Sequence, residues 1–142
     1  MIISASNFLV ALLFAYAGFS KIMDFNVFRN QLSAIVFLKR AAPFIASTLP
    51  AFEILTAFLI SFRNTQIPGW WLAAILMTTF TIYVAVIILF KKHLPCSCGG
   101  VIAAMTWKQH LLFNIFFMLV TWTALYHSIK NQFKTISTNI RE

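Results

Sequence analysis

Long apolar runs separated by short polar or mixed segments dominate this chain. The first covers residues 2–20 (IISASNFLVALLFAYAGFS), with no charge until Lys21. The second covers 41–62 and holds one ionised residue, Glu53; the third, 68–90, holds none. The fourth opens near Thr106 or Trp107 and continues to 127. Each approaches the ~20 residues a helix needs to cross the hydrocarbon core of a bilayer. The runs are continuously apolar rather than alternating, so α-helices are the spanning structure they predict. Between the first two runs, Phe25, Phe28, Leu32, Ile35 and Val36 recur at helical spacing and predict an amphipathic helix lying on the membrane surface. The expected fold is all-α: a four-transmembrane-helix bundle with an amphipathic surface helix between spans one and two. A single integral membrane domain is expected over residues 1–142, with a cysteine loop at 91–105 and a polar tail that frays from Lys130.

The run boundaries carry signals of their own. Pro43 and Pro68 stand near span starts, where a missing N–H costs nothing. Trp70, Trp71, Trp107, Trp122 and Tyr126 fall near span ends, where interfacial aromatics gather. The 16 phenylalanines are spread over all the runs, which suits lipid contact and bundle packing better than a cofactor pocket.

Composition narrows the class. The chain is 61% hydrophobic and 10% charged, with three acids in 142 residues, too few to solvate a water-facing surface. Soluble enzymes, disordered chains and secreted disulfide scaffolds are excluded, and the bilayer is the expected partner. The formal charge of +8 would otherwise suggest nucleic acid, but these bases flank apolar runs, a placement that suits headgroups and topology. Four spans put both termini on one side. Lys21, Arg29, Lys39, Arg40, Lys91, Lys92 and Lys108 then lie on the side of loops one and three, and Arg63, Lys130, Lys134 and Arg141 lie opposite. The positive-inside rule would place the cysteine loop in the cytoplasm.

The only cysteines are Cys96 and Cys98, in KKHLPCSCGG. A zinc site needs four ligands, and here only His93 and His110 could join the pair, at a spacing unlike the standard modules. No metal is expected. Thiol exchange fits better: Lys91, Lys92 and His93 favour thiolate, and Gly99 and Gly100 let a partner approach closely. A disulfide between residues two apart closes a small ring that is easily reduced. The alternative is two thiols in a tight turn, with no chemistry.

The stretch PCSCGGVIAAMTWKQHLLFN resembles the signature of the MauE/DoxX family of redox-associated membrane proteins, in the branch common in Bacteroidota. The resemblance also takes in AGFSKIMDF, with Lys21 and Asp24, and LPAFE around Glu53. It implies a four-helix protein of the bacterial inner membrane, linked to thiol–disulfide chemistry, with the cysteine loop periplasmic and the termini cytoplasmic. That orientation opposes the charge count, but disulfide chemistry needs an oxidising compartment. The layout is also similar to vitamin K epoxide reductase, which passes electrons between thiols and quinone. This chain has C-x-C rather than C-x-x-C and no second pair in loop one. The shuttle cysteines would therefore come from a thioredoxin-like or other membrane or periplasmic partner.

Trp107, His110 and Asn114 share one helix face below the cysteine loop. His110 could exchange a proton with a thiol or a quinone oxygen, or could simply snorkel at the interface. Glu53 lies roughly 15 Å into its span, where an unpaired charge is costly, with Lys21 as its candidate partner. The leading expectation is thiol–disulfide exchange through Cys96, Cys98 and His110, with a quinone near Trp107, Asn114 and Glu53 as the further step. The rival is a structural or assembly subunit of a larger membrane complex.

Overall fold

The computed structural model describes residues 2–35, 38–90 and 106–139. Among them it has five helices and no strand: α1 (Ile2–Met23), α2 (Phe25–Ser33), α3 (Ala42–Ser61), α4 (Gln66–Phe90) and α5 (Trp107–Asn139). Four of these, all but α2, are long and apolar enough to cross a membrane. A 3₁₀ turn, Arg63–Thr65, joins α3 to α4, and Thr65 Oγ1 closes it by donating to the Leu59 carbonyl at 2.9 Å.

Lipid tails are as apolar as leucine, so the helices gain little from hiding hydrocarbon and must associate by close packing at small residues. The chain supplies such residues where helices meet. The main core gathers Val10 and Phe14 of α1, Ala57 and Ile60 of α3, Trp70, Ala73, Ala74 and Met77 of α4, and Phe117, Ala124 and Leu125 of α5. Glycine marks the two tightest approaches. A Cβ on Gly18 would stand 2.9 Å from Ile54 Cγ1 and 3.1 Å from the Pro50 carbonyl oxygen, so only glycine lets α1 close on α3 there. A Cβ on Gly69 would stand 2.9 Å from the backbone of both Leu59 and Ile60.

Hydroxyls inside the spans are satisfied within their own helix, as a water-free medium demands. Thr56 donates to the Phe52 carbonyl at 2.7 Å, Thr78 to Ala74 at 2.7 Å and Thr81 to Met77 at 2.7 Å. Thr78 Oγ1 also accepts from Trp122 Nε1 at 3.2 Å, which ties α4 to α5.

Two expectations change and one gains detail. Trp70, expected at the membrane interface, is 0% exposed, because the approach at Gly69 turns the indole into the core. Trp71 and Trp122 remain on the outside, edge to face at 6.1 Å. The detail concerns α2, the amphipathic helix expected between spans one and two, whose Leu32 side meets protein. Leu32 packs on Ala42 and Ala46, whose small side chains at i and i+4 leave a strip of α3 open, with Phe25, Phe28, Leu38, Ile45 and Tyr83 around it. Ile35 is also buried, and Val36 lies outside the described residues. The second change is that the tail does not fray at Lys130: α5 runs on to Asn139. Residues 128–139 contain no Pro or Gly, so loss of apolar character there marks the exit from lipid rather than the end of the helix.

Candidate functional site

The site grows from the tight crossing of α1 and α3. Gly18 and Lys21 are three residues apart on α1, as are Pro50 and Glu53 on α3, so each pair shares a helix face. Once Gly18 seats against Pro50 and Glu53, the lysine one turn on reaches the carboxylate: Lys21 Nζ donates to Glu53 Oε1 at 2.7 Å. Glu53 is 0% exposed and the Lys21 side chain 15%. The ammonium also lies 5.7 Å from the Phe28 ring centroid on α2 and 5.5 Å from that of Phe80 on α4, cation–π distances that replace part of its lost hydration. The other carboxylate oxygen, Glu53 Oε2, is buried with no hydrogen-bond partner among the described residues.

A second local device sets the opposing wall. Thr106 and Gln109 form a reciprocal capping box at the start of α5. The Thr106 N–H donates to Gln109 Oε1 at 2.9 Å, and the Gln109 N–H donates to Thr106 Oγ1 at 3.4 Å. This fixes the helix phase, and His110 and Asn114, four apart, both turn inward and are buried. His110 is 7% exposed, so it is an interior histidine and not one snorkelling at the interface. Its Nδ1 is buried without a partner among the described residues.

Lys21 and Glu53 thus tie α1 to α3 near the end of the bundle where α4 ends and α5 begins, and His110 is buried on the first turn of α5 near that end. Asn114 lies one turn deeper on the His110 face. Asp24, one turn beyond Lys21, is exposed and takes no part. Cys96 and Cys98 lie outside the described residues, as does the side chain of Trp107, the first residue of α5. Sequence reasoning missed the two phenylalanines beside Lys21. Phe28 was legible only as part of the apolar period of α2, a helix separate from that of Lys21, and nothing in the sequence singles out Phe80. Also missed were Asn7 Oδ1 and Trp70 Nε1, buried without partners among the described residues toward the other end of the bundle.

The described surface has an apolar groove of about 700 Å³ between α1–α2 and α3, and another of about 600 Å³ along α5 at Gln109, Leu112, Phe113 and Phe116. Neither is lined by Glu53, His110 or Asn114.

Four spans with a mostly buried ion pair near one end define a multi-pass membrane protein in contact with lipid. The chain belongs to the MauE family, described as methylamine utilisation protein MauE, which matches it over residues 1–127. No curated protein and no solved structure matches it.

Proposed function

We propose that this protein exchanges thiols and disulfides with a partner, using Cys96 and Cys98 as the reacting pair and His110 as the group that moves the proton. The observation that carries the reading is His110: a buried imidazole whose Nδ1 has no partner among the described residues, at the start of the helix that follows the cysteine loop in sequence. In one direction, His110 takes the proton of the attacking thiol, and the thiolate displaces one sulfur of a partner disulfide. A mixed S–S bond forms as the partner's own bond breaks, and His110 returns the proton to the departing sulfur. Attack by the second cysteine closes the C-x-C disulfide and releases the partner as a dithiol. The reverse sequence oxidises the partner. A quinone would accept or supply an electron pair, but neither apolar groove among the described residues is lined by Glu53, His110 or Asn114, so those grooves do not bring a quinone to these residues.

The test follows alkylation of Cys96 and Cys98 by gel shift while the membrane-embedded protein is treated with an oxidised thioredoxin-like protein. The expected result is a mixed disulfide trapped in Cys98→Ser or in Cys96→Ser, and an exchange rate slowed about 100-fold or more by His110→Gln with helix content unchanged. Unchanged kinetics in His110→Gln would remove the histidine from the step.

One observation favours a second reading, that of an assembly subunit: α1 is the least buried of the spans and leaves Phe8, Leu12 and Phe19 exposed to lipid or to further helices. A parent complex that stays intact and active when both cysteines are serine would establish it.

A further inference from the structure

The groove between α1–α2 and α3 is more than a surface irregularity. Ile22 of α1 and Phe25 of α2 line one side of it, and a stripe of α3 from Ala46 through Ser47, Pro50 and Ala51 to Ile54, Leu55 and Phe58 lines the rest. From Ala46 to Phe58 the groove follows α3 for about 18 Å at 1.5 Å per residue. That is close to one leaflet of a hydrocarbon core ~30 Å thick. Its end toward loop one is flanked by positive charge. Arg29 stands one turn beyond Phe25 on α2, and Lys39 and Arg40 precede Ala41, the cap residue of α3; all three are exposed, and none is ion-paired among the described residues. Asp24 is the only acid in that loop.

A leaflet-length apolar slot with bases clustered at its polar end has the shape and the charge order of one kind of molecule. We infer that the groove binds an anionic phospholipid, with an acyl chain lying along Ala46–Phe58 and the headgroup phosphate held by Arg29, Lys39 and Arg40. The slot supplies apolar contact for the tail, and each base near an anionic headgroup contributes about a fivefold factor in binding. This site is separate from the thiol chemistry and stands or falls without it.

The experiment reconstitutes the full chain into vesicles of phosphatidylcholine mixed with phosphatidylglycerol. The protein is then extracted in mild detergent, and the lipid that stays bound is quantified by mass spectrometry. Phosphatidylglycerol should be retained in several-fold excess over its share of the vesicle, and added inorganic phosphate should not displace it. Replacing the bases in R29Q/K39Q/R40Q should abolish the preference by removing the headgroup contacts. Ala51→Phe should lower retention of the lipid with the bases intact, because it fills the slot from an exposed position. Equal retention of both lipids by the wild-type chain would overturn the inference. So would unchanged phosphatidylglycerol retention in either variant, or its displacement by inorganic phosphate. The wild-type comparison decides the matter even if a variant fails to insert.

Discussion

The Lys21–Glu53 pair is a costly contact to bury, and its removal is easy to read. Taking two charges out of water costs several kcal/mol per ion, recovered only where geometry is good and the remaining polar atoms find partners. Here one carboxylate oxygen has its partner at 2.7 Å and the other has none among the described residues. Glu53→Ala should therefore destabilise the bundle by about 3–5 kcal/mol, since it strands a mostly buried ammonium. Lys21→Met together with Glu53→Leu removes both charges and should return stability to within about 1 kcal/mol of the native chain. Unfolding in mixed detergent micelles reads both; a double variant as unstable as the single one would mean that the pair is needed for its specific geometry and not only for neutrality. This contact was legible in the sequence, because a lone acid in an apolar span must find a base and Lys21 closes the preceding span. The burial of Trp70 was not, because in a run that is apolar on every side periodicity cannot say which face meets protein and which meets lipid.

At the scale of elements, helix starts here are set by local chemistry, and the start of α5 is the one that matters to the site. The capping box of Thr106 and Gln109 fixes where α5 begins, and therefore whether His110 faces the interior. Replacing both with alanine should cost about 1 kcal/mol and free the first-turn amides. Hydrogen exchange should rise sharply at residues 107–110 and little beyond Asn114; uniform loosening of α5 would show that the box holds more than its own turn. Spans were legible because lipid forces each into one long apolar helix, whereas the far end of α5 was not. Sequence reasoning took the polar residues after Lys130 for the end of the helix, though they mark only the end of lipid contact. Likewise the period of α2 was plain, but that its apolar face would meet the Ala42–Ala46 strip depended on a neighbour that sequence spacing does not reveal.

For the whole molecule the open variable is orientation, and two physical arguments oppose each other. Four spans put α1's start and α5's end on one side, with the loops holding Arg29, Lys39, Arg40 and the cysteines on the other. Charge bias favours the loops in the cytoplasm, yet it is weakened by what the structure gives those bases to do. Lys21 is committed to Glu53, and Arg29, Lys39 and Arg40 flank a slot that suits a lipid, so none of these need report topology. On the other side α5, at 33 residues and about 50 Å, outruns a ~30 Å core and carries Lys130 and Lys134 beyond it. The proposed thiol exchange needs an oxidising compartment and so predicts that the loops face outward. A membrane-impermeant maleimide applied to intact, reduced cells should therefore label Cys96 and Cys98. In a Cys96→Ser, Cys98→Ser background, a Gln132→Cys probe on the exposed end of α5 should stay unlabelled until lysis. The opposite pattern would place both thiols in a reducing compartment, where a strained C-x-C disulfide would not persist, and would shift the weight to the assembly reading.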